Sequence, residues 1–266
     1  MARVKSIISL RGRVGDTVFV RRNGKTIAGL PGGASKEKIL TSPEFANTRK
    51  NMAEFGGCAG FAKWMYIFLA TTIFETVRKK ISMRQMIAEL RNIQQAYANP
   101  AELLGERTVQ LYDTLIGFQF NRKNNFTSIF NTIYTLVYSI GSDSLTLTVE
   151  PINPATDLVV PAGATHFKLF VGYAQMGNGV YNEITGGYDA PTTKGYTVQG
   201  SDFIDVAVGT ATTTDIIALI PGSPVIDIDD KFVTTLGISY YKEVGTVKNK
   251  MFELDAMEVI DVHIAV

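Results

Sequence analysis

The chain has 266 residues, 45% of them apolar and 19% charged, so it is a core-forming globular sequence and not a disordered one. One cysteine, Cys58, and two distant histidines, His166 and His263, exclude an intramolecular disulfide and a Cys-rich zinc site. The net charge of +1 hides an asymmetry: residues 1–125 hold 20 Lys and Arg against 9 Asp and Glu, and residues 126–266 hold 6 against 16.

Residues 1–33 are basic and strand-forming. "SIISL" is too short an apolar run for a signal peptide and arginines follow it. The expected address is therefore the cytoplasm at synthesis, or an extracellular or virion-like assembly released without a Sec signal. "TVFVRRNGKTIAG" sets two β-leaning runs around Asn23-Gly24, the pair that a type I′ hairpin favours because both central residues need φ > 0. Arg11, Arg13, Phe19, Arg21, Arg22 and Lys25 ride on this arm, with Asp16 as its one acid. "GLPGG" follows, and Gly29, Pro31, Gly32 and Gly33 predict a break that serves as a hinge.

Residues 34–116 predict a helical region. Ser42 is the expected N-cap, with Pro43 at the first helical position and Glu44 in the first turn. Gly56-Gly57 predicts a kink or an end to this helix, and a second helix covers 58–80. Its run "WMYIFLATTIF", residues 64–74, is shorter than the ~20 residues a membrane span needs and charged residues bracket it, which predicts a buried helix and no membrane span. Ser82 is set to cap a third helix, whose Met83, Met86, Ile87, Leu90 and Ile93 repeat at helical spacing. A short helix is expected over 101–115.

From residue 117 the period changes to two. "GFQF", "FTSIFNTIYTLVYSI", "SLTLTVE", "THFKLFVGYAQM", "FIDVAV", "DIIALI", "FVTTLGISYYKEV" and "AMEVIDVHIAV" read as strands, with a hairpin turn at 141–143 and a Pro-rich connection at 151–161. The whole is an α+β chain: a basic β-hairpin arm at 1–33, a helical region at 34–116, and at 117–266 an antiparallel β-sandwich of immunoglobulin or fibronectin type.

Motifs for chemistry are sparse. A phosphate loop needs Gly-x4-Gly-Lys-Ser/Thr, and "GLPGGASK" separates its second Gly from the Lys. There is no Gly-x-Ser-x-Gly, and both histidines sit in strand patterns as structural residues. "DIDDK" places Asp227, Asp229 and Asp230 together; calcium takes several oxygens, but no loop of EF-hand spacing follows, and a solvated turn between strands is the reading. Tyr173, Tyr181, Tyr188, Tyr196, Tyr240 and Tyr241 suit a sugar platform or simply strands. The basic N-terminus suits phosphates or the acidic surface of another copy.

"GRVGDTVFVRRNGKTIAG", "SPEFANTRKNMAEFG", "LIGFQFN" and "PAGATHFKL", in that order, resemble an uncharacterised protein family abundant in Bacteroidota. The resemblance implies a bacterial or phage-like setting and a shared two-part plan, and it brings no catalytic residues. With no cofactor motif and no catalytic constellation, the expectation is a non-enzymatic structural subunit that polymerises with copies of itself. Nucleic-acid association through the arm and carbohydrate or surface binding are the alternatives.

Overall fold

The structure, a computed structural model, describes residues 2–4, 11–30, 32–70, 83–121, 123–139, 144–189, 193–210, 215–222 and 230–264. Pro31, Ser82, Asp227, Asp229 and the turn at 141–143 lie outside the described residues. Internal contacts divide the chain into Met1–Arg49 and Lys50–Val266.

In the first unit, β1 (Ala2–Val4), β2 (Gly12–Val14), β3 (Thr17–Arg22) and β4 (Lys25–Gly29) form one antiparallel sheet in the order β1-β4-β3-β2. The β3–β4 hairpin turns at Asn23 and Gly24, whose φ angles are 50° and 74°, as the Asn-Gly pair requires. Helix α1 (Lys36–Thr41) is capped by Ser35, whose hydroxyl accepts the Lys38 N–H at 3.2 Å. Ser42 precedes a single 3₁₀ turn, Pro43–Phe45, and makes no side-chain cap bond. Arg49 instead ties this region, donating to the Ile39 and Ser42 carbonyls at 2.8 Å each.

Helix α2 (Ala46–Met65) continues unbroken through Gly56-Gly57, so the helix does not end there. Gly57 is there for packing. A Cβ on it would lie 2.5 Å from the Tyr188 ring. A π turn, Tyr66–Ala70, continues the helix, and Phe68, Leu69 and Ala70 are buried, so the apolar run is interior as far as the described residues reach. Helix α3 (Met83–Ala96) buries Met86, Leu90 and Ile93 on the expected stripe.

The expected helix over 101–115 does not form, apart from a 3₁₀ turn at Asp113–Leu115. Carboxylates organise that segment as a loop. Glu102 accepts the N–H groups of Asn99 and Thr108, each at 3.1 Å, and Gly105 takes φ +99°. The run read as a strand from Phe126 begins as helix α4 (Phe126–Ile129), because the Asn125 side chain accepts the Thr127 N–H and caps it. "GFQF" does not form a strand of its own. Gln119 bridges Glu258 singly, and the Gly117 and Phe120 N–H groups donate to Val259 and Met257.

The remaining elements are β5 (Tyr134–Ser139), β6 (Ser144–Val149), α5 (Pro154–Asp157), β7 (His166–Met176), β8 (Tyr181–Asn182), β9 (Gly187–Tyr188), β10 (Thr193–Gly200), β11 (Ile204–Asp205), β12 (Ile216–Leu219), β13 (Lys231–Val244) and β14 (Val247–Ile264). The main sheet is antiparallel in the order β10-β7-β13-β14, with β11 also on β7. β12-β6-β5 form a second antiparallel sheet, and β8-β9 a small ribbon. β10 and the first part of β14 were not expected from sequence. The chain is thus α+β.

Strand alternation gives the main sheet two apolar faces. Phe170, Ala174, Met176, Val233, Met257 and Val259 share a core with Phe61, Met65 and Leu69 of the helical segment and with Leu90 of α3. Leu169, Val171, Leu236 and Ile238 share a second core with Leu145, Leu147 and Ile216 of the three-stranded sheet. A register shift on β14 lets Val259 and Val262 face the first core together, as a bulge does when it adds a residue to one strand.

Gly57 and its neighbour supply a matched test. Gly57→Ala is expected to destabilise by about 1–3 kcal/mol, the usual cost of overpacking. Gly56 is exposed with open space at its Cβ position, so Gly56→Ala is expected to stabilise by about 0.5–1 kcal/mol. Urea unfolding of the two variants gives opposite signs if Gly57 is set by Tyr188.

Candidate interaction surface on the N-terminal sheet

The N-terminal sheet alternates across its two faces. β3 sends Val18, Val20 and Arg22 to one side and Thr17, Phe19 and Arg21 to the other. The register sets Val20 opposite Ile27 and Val18 opposite both Gly29 and Arg13. One face is therefore apolar at its centre, and it opens as a groove of about 450 Å³ lined by Val18, Val20, Arg22, Ile27, Gly29 and Leu30, with Gly32 at its rim. The other face carries Phe19 opposite Gly12 and Ala28.

No described side chain of this unit is buried between residues 11 and 49. Val14, Val20 and Leu30 keep 67%, 51% and 81% of their surface exposed, which is unusual for a sheet, whose stability rests on covering one apolar face. Arg11, Arg21, Arg22 and Lys25 are exposed and meet no carboxylate among the described residues. Arg13 makes an exposed pair with Asp16 at 3.4 Å and donates to the Gly15 carbonyl. Of the expected hinge, Gly29 belongs to β4 and pairs with Val18, so the break starts after it. Gly32 is exposed and Gly33 has φ +97° with open space around it.

The acidic cluster is not a solvated turn at its described member. Asp230 is 2% exposed and accepts the Gln175 side-chain amide at 2.7 Å, because it stands where β13 enters the interior. Among the described residues no group of three or more His, Cys, Asp or Glu is placed to hold a metal ion. Tyr173 and Tyr240 lie in the second core and Tyr188 packs against the first, so the tyrosines do not share one platform. His166 pairs with Glu243 at 3.6 Å and Thr165 at 2.9 Å. His263 pairs with Asp261 at 2.8 Å, and the same carboxylate accepts the Tyr138 hydroxyl. Burial first, and that acidic partner second, push the Tyr138 hydroxyl well above its ordinary pKa. The trio latches β5 to β14.

The densest buried polar cluster was not expected from sequence. Glu54, fully buried on α2, meets Arg91 of α3 at 2.9 Å and Arg107 at 3.8 Å, and accepts the Gly105 N–H at 2.8 Å. Gln94 donates to the Arg107 carbonyl, and Tyr188 donates to the same oxygen at 2.7 Å. Only the pairing of Glu54 on one helix with Arg91 on another distinguishes it, and sequence spacing does not show that. Its role is to hold the 98–108 loop on the helices.

Two expectations follow from this cluster. Glu54→Gln removes the buried charge that Arg91 and Arg107 share, while both arginines keep some exposure, and is expected to cost about 1–3 kcal/mol, measured by chemical unfolding. Beside it, burial pushes the Cys58 thiol from 9.0 to about 11. The folded thiol therefore holds its proton where the unfolded one has lost it, and stability falls as pH rises from about 9 towards 11. Cys58→Ala is expected to flatten that part of the stability–pH profile.

Compared with known proteins, this chain matches no family model, no curated protein and no solved structure.

Proposed function

We propose that this chain is a structural subunit that assembles with copies of itself into a filament, tube or virion-like particle, joined through its N-terminal sheet. The observation that carries this reading is a four-stranded sheet whose apolar groove is exposed together with Arg11, Arg21, Arg22 and Lys25, which meet no carboxylate among the described residues. Such a sheet gains its burial from a partner. The chain's own acidic half, with 16 Asp and Glu against 6 Lys and Arg over residues 126–266, is a partner of the right sign. The reading includes two finer parts. One is that residues 117–266 form a sandwich of immunoglobulin or fibronectin kind, supported by the core that Leu145 and Leu147 share with Leu169 and Leu236. The other is the bacterial or phage-like setting implied by the resemblance of the N-terminal motifs. No helix of the described residues is long and apolar enough to cross a membrane.

The same exposed cations favour a second reading, in which the arm follows the phosphates of a nucleic acid. Sedimentation velocity and negative-stain microscopy of the full chain separate the two. Concentration-dependent assembly that Val20→Asp or Arg22→Glu weakens by about tenfold or more, with a steep salt dependence for Arg22, is the expected result. A chain that stays monomeric at high concentration yet shifts a nucleic-acid probe at low salt replaces the first reading with the second.

A further inference from the structure

The outer face of the three-stranded sheet is a second uncovered surface in the other half of the chain, with apolar side chains on its two flanking strands and Ser144, Thr146 and Thr148 along β6 between them. β5, β6 and β12 turn Tyr134, Leu136, Leu145, Leu147 and Ile216 inward, and alternation sends their other residues out. The register lines these up in rows across the sheet. Val137, Thr146 and Ile217 form one row, and Ser139, Ser144 and Leu219 the next. Ile133, Val137, Ile217 and Leu219 are 74%, 61%, 61% and 54% exposed.

Among the described residues, the two charged residues hydrogen-bonded at this face are both acidic. The strands TyrThrLeuValTyrSer, SerLeuThrLeuThrVal and IleIleAlaLeu contain no Lys or Arg. At the far end of the rows, Asp215 accepts the Thr148 hydroxyl at 2.8 Å, which holds its carboxylate beside the outward threonines. Glu150 continues the outward parity of β6, and its N–H donates to the Ile133 carbonyl at 3.0 Å. Both carboxylate residues are exposed.

The N-terminal sheet has the complementary composition: Val18, Val20 and Ile27 at the centre, with Arg13, Arg22 and Lys25 on the same face. We infer that the three-stranded sheet's outer face is the docking site for the N-terminal sheet of a second copy, face to face, with Val137, Ile217 and Leu219 against the groove and Arg22 and Lys25 towards Asp215 and Glu150. This rests on the self-assembly reading and names the surface that receives the joint. Because the two surfaces are different, the contact is heterologous: each copy has one donor face and one acceptor face, and repetition of the contact builds a filament, or a ring where the rotation closes.

The test uses two full-length variants. Arg22→Glu with Lys25→Glu disables the donor face, and Ile217→Lys disables the acceptor face; all three positions are exposed or at the surface. Leu219→Lys is the second acceptor variant, kept for the case in which Ile217→Lys lowers the melting temperature or alters the circular dichroism. Each variant alone is expected to remain monomeric at a concentration where the unaltered chain is assembled. An equimolar mixture is expected to form a one-to-one dimer and nothing larger, since only one competent pair of faces remains. Folded variants whose mixture stays monomeric overturn the proposal, as does assembly of the acceptor variants at unaltered strength. If the donor variant weakens assembly and the acceptor variants do not, the self-assembly reading stands and this docking face falls. If the unaltered chain never assembles, both fall. Zero-length cross-linking of mixed light and heavy isotope copies adds a direct readout. Lys25 is expected to join Asp215 or Glu150 between copies, and cross-links found only within one copy mean that the sheet docks on its own chain, which overturns the proposal.

Discussion

Strand β13 is buried on both faces over residues 232–240, and the second unit is arranged to meet that condition. Each fully buried Val, Leu, Ile or Phe side chain contributes about 1.5–3 kcal/mol, but only if something apolar stands on its side of the sheet. On one side the helical segment and α3 supply it, and on the other the three-stranded sheet does. Two polar members of the strand, Thr234 and Thr235, are placed accordingly, whereas the Ser239 and Tyr240 hydroxyls are buried with no hydrogen-bond partner among the described residues. Thr235 lies against the Gly172 carbonyl and Thr234 against the Tyr138 hydroxyl, so they join neighbouring strands instead of being stranded in a dry interior. Gly172 allows the close approach of the helical layer, since a Cβ there would meet Thr235 at 2.4 Å and Leu69 at 3.3 Å.

Carboxylates do the corresponding work in the loops. Glu54 anchors the 98–108 loop to two helices, Glu102 gathers its own amides, and Asp230 receives Gln175 at the entry to β13. A carboxylate accepts several N–H groups at once, which is how irregular backbone is held against a hydrophobic body without secondary structure. Asp230, the one described member of the acidic cluster, is committed to such a task.

The first unit obeys a different balance. Its strands pair fully, yet no described side chain between residues 11 and 49 is buried. Backbone pairing alone leaves a small sheet marginal in water. Its burial is therefore open to a partner, and its positive charge selects what that partner can be. The outer face of the three-stranded sheet is the surface we propose for it. That proposal rests on a contrast: the second unit has two buried cores, and residues 11–49 of the first have no buried side chain among those described.

What could be read from the sequence was whatever one or two turns of backbone decide. Asn23-Gly24 forces its own hairpin because both residues accept φ > 0, and the Met86–Leu90–Ile93 stripe forms its helix by spacing alone. The readings that failed turned on partners that composition and spacing do not show, some distant and one, Asn125, adjacent. Gly56-Gly57 looked like a break until Tyr188, more than a hundred residues away, occupied the Gly57 surface. The 101–115 segment had helical spacing, but Glu102 and Glu54 captured its amides. Residues 126–129 had a strand's composition, and the Asn125 cap turned them into a helix. The sequence by itself determined the charge asymmetry, the N-terminal hairpin, the third helix and the change to period two. Tertiary structure alone decided that the helices lie on the main sheet, that Asp230 goes inside, and that apolar side chains stay exposed on the N-terminal sheet and on the outer face of the three-stranded sheet. Burial and pairing across the fold are set by which surfaces meet, and local preference does not encode that.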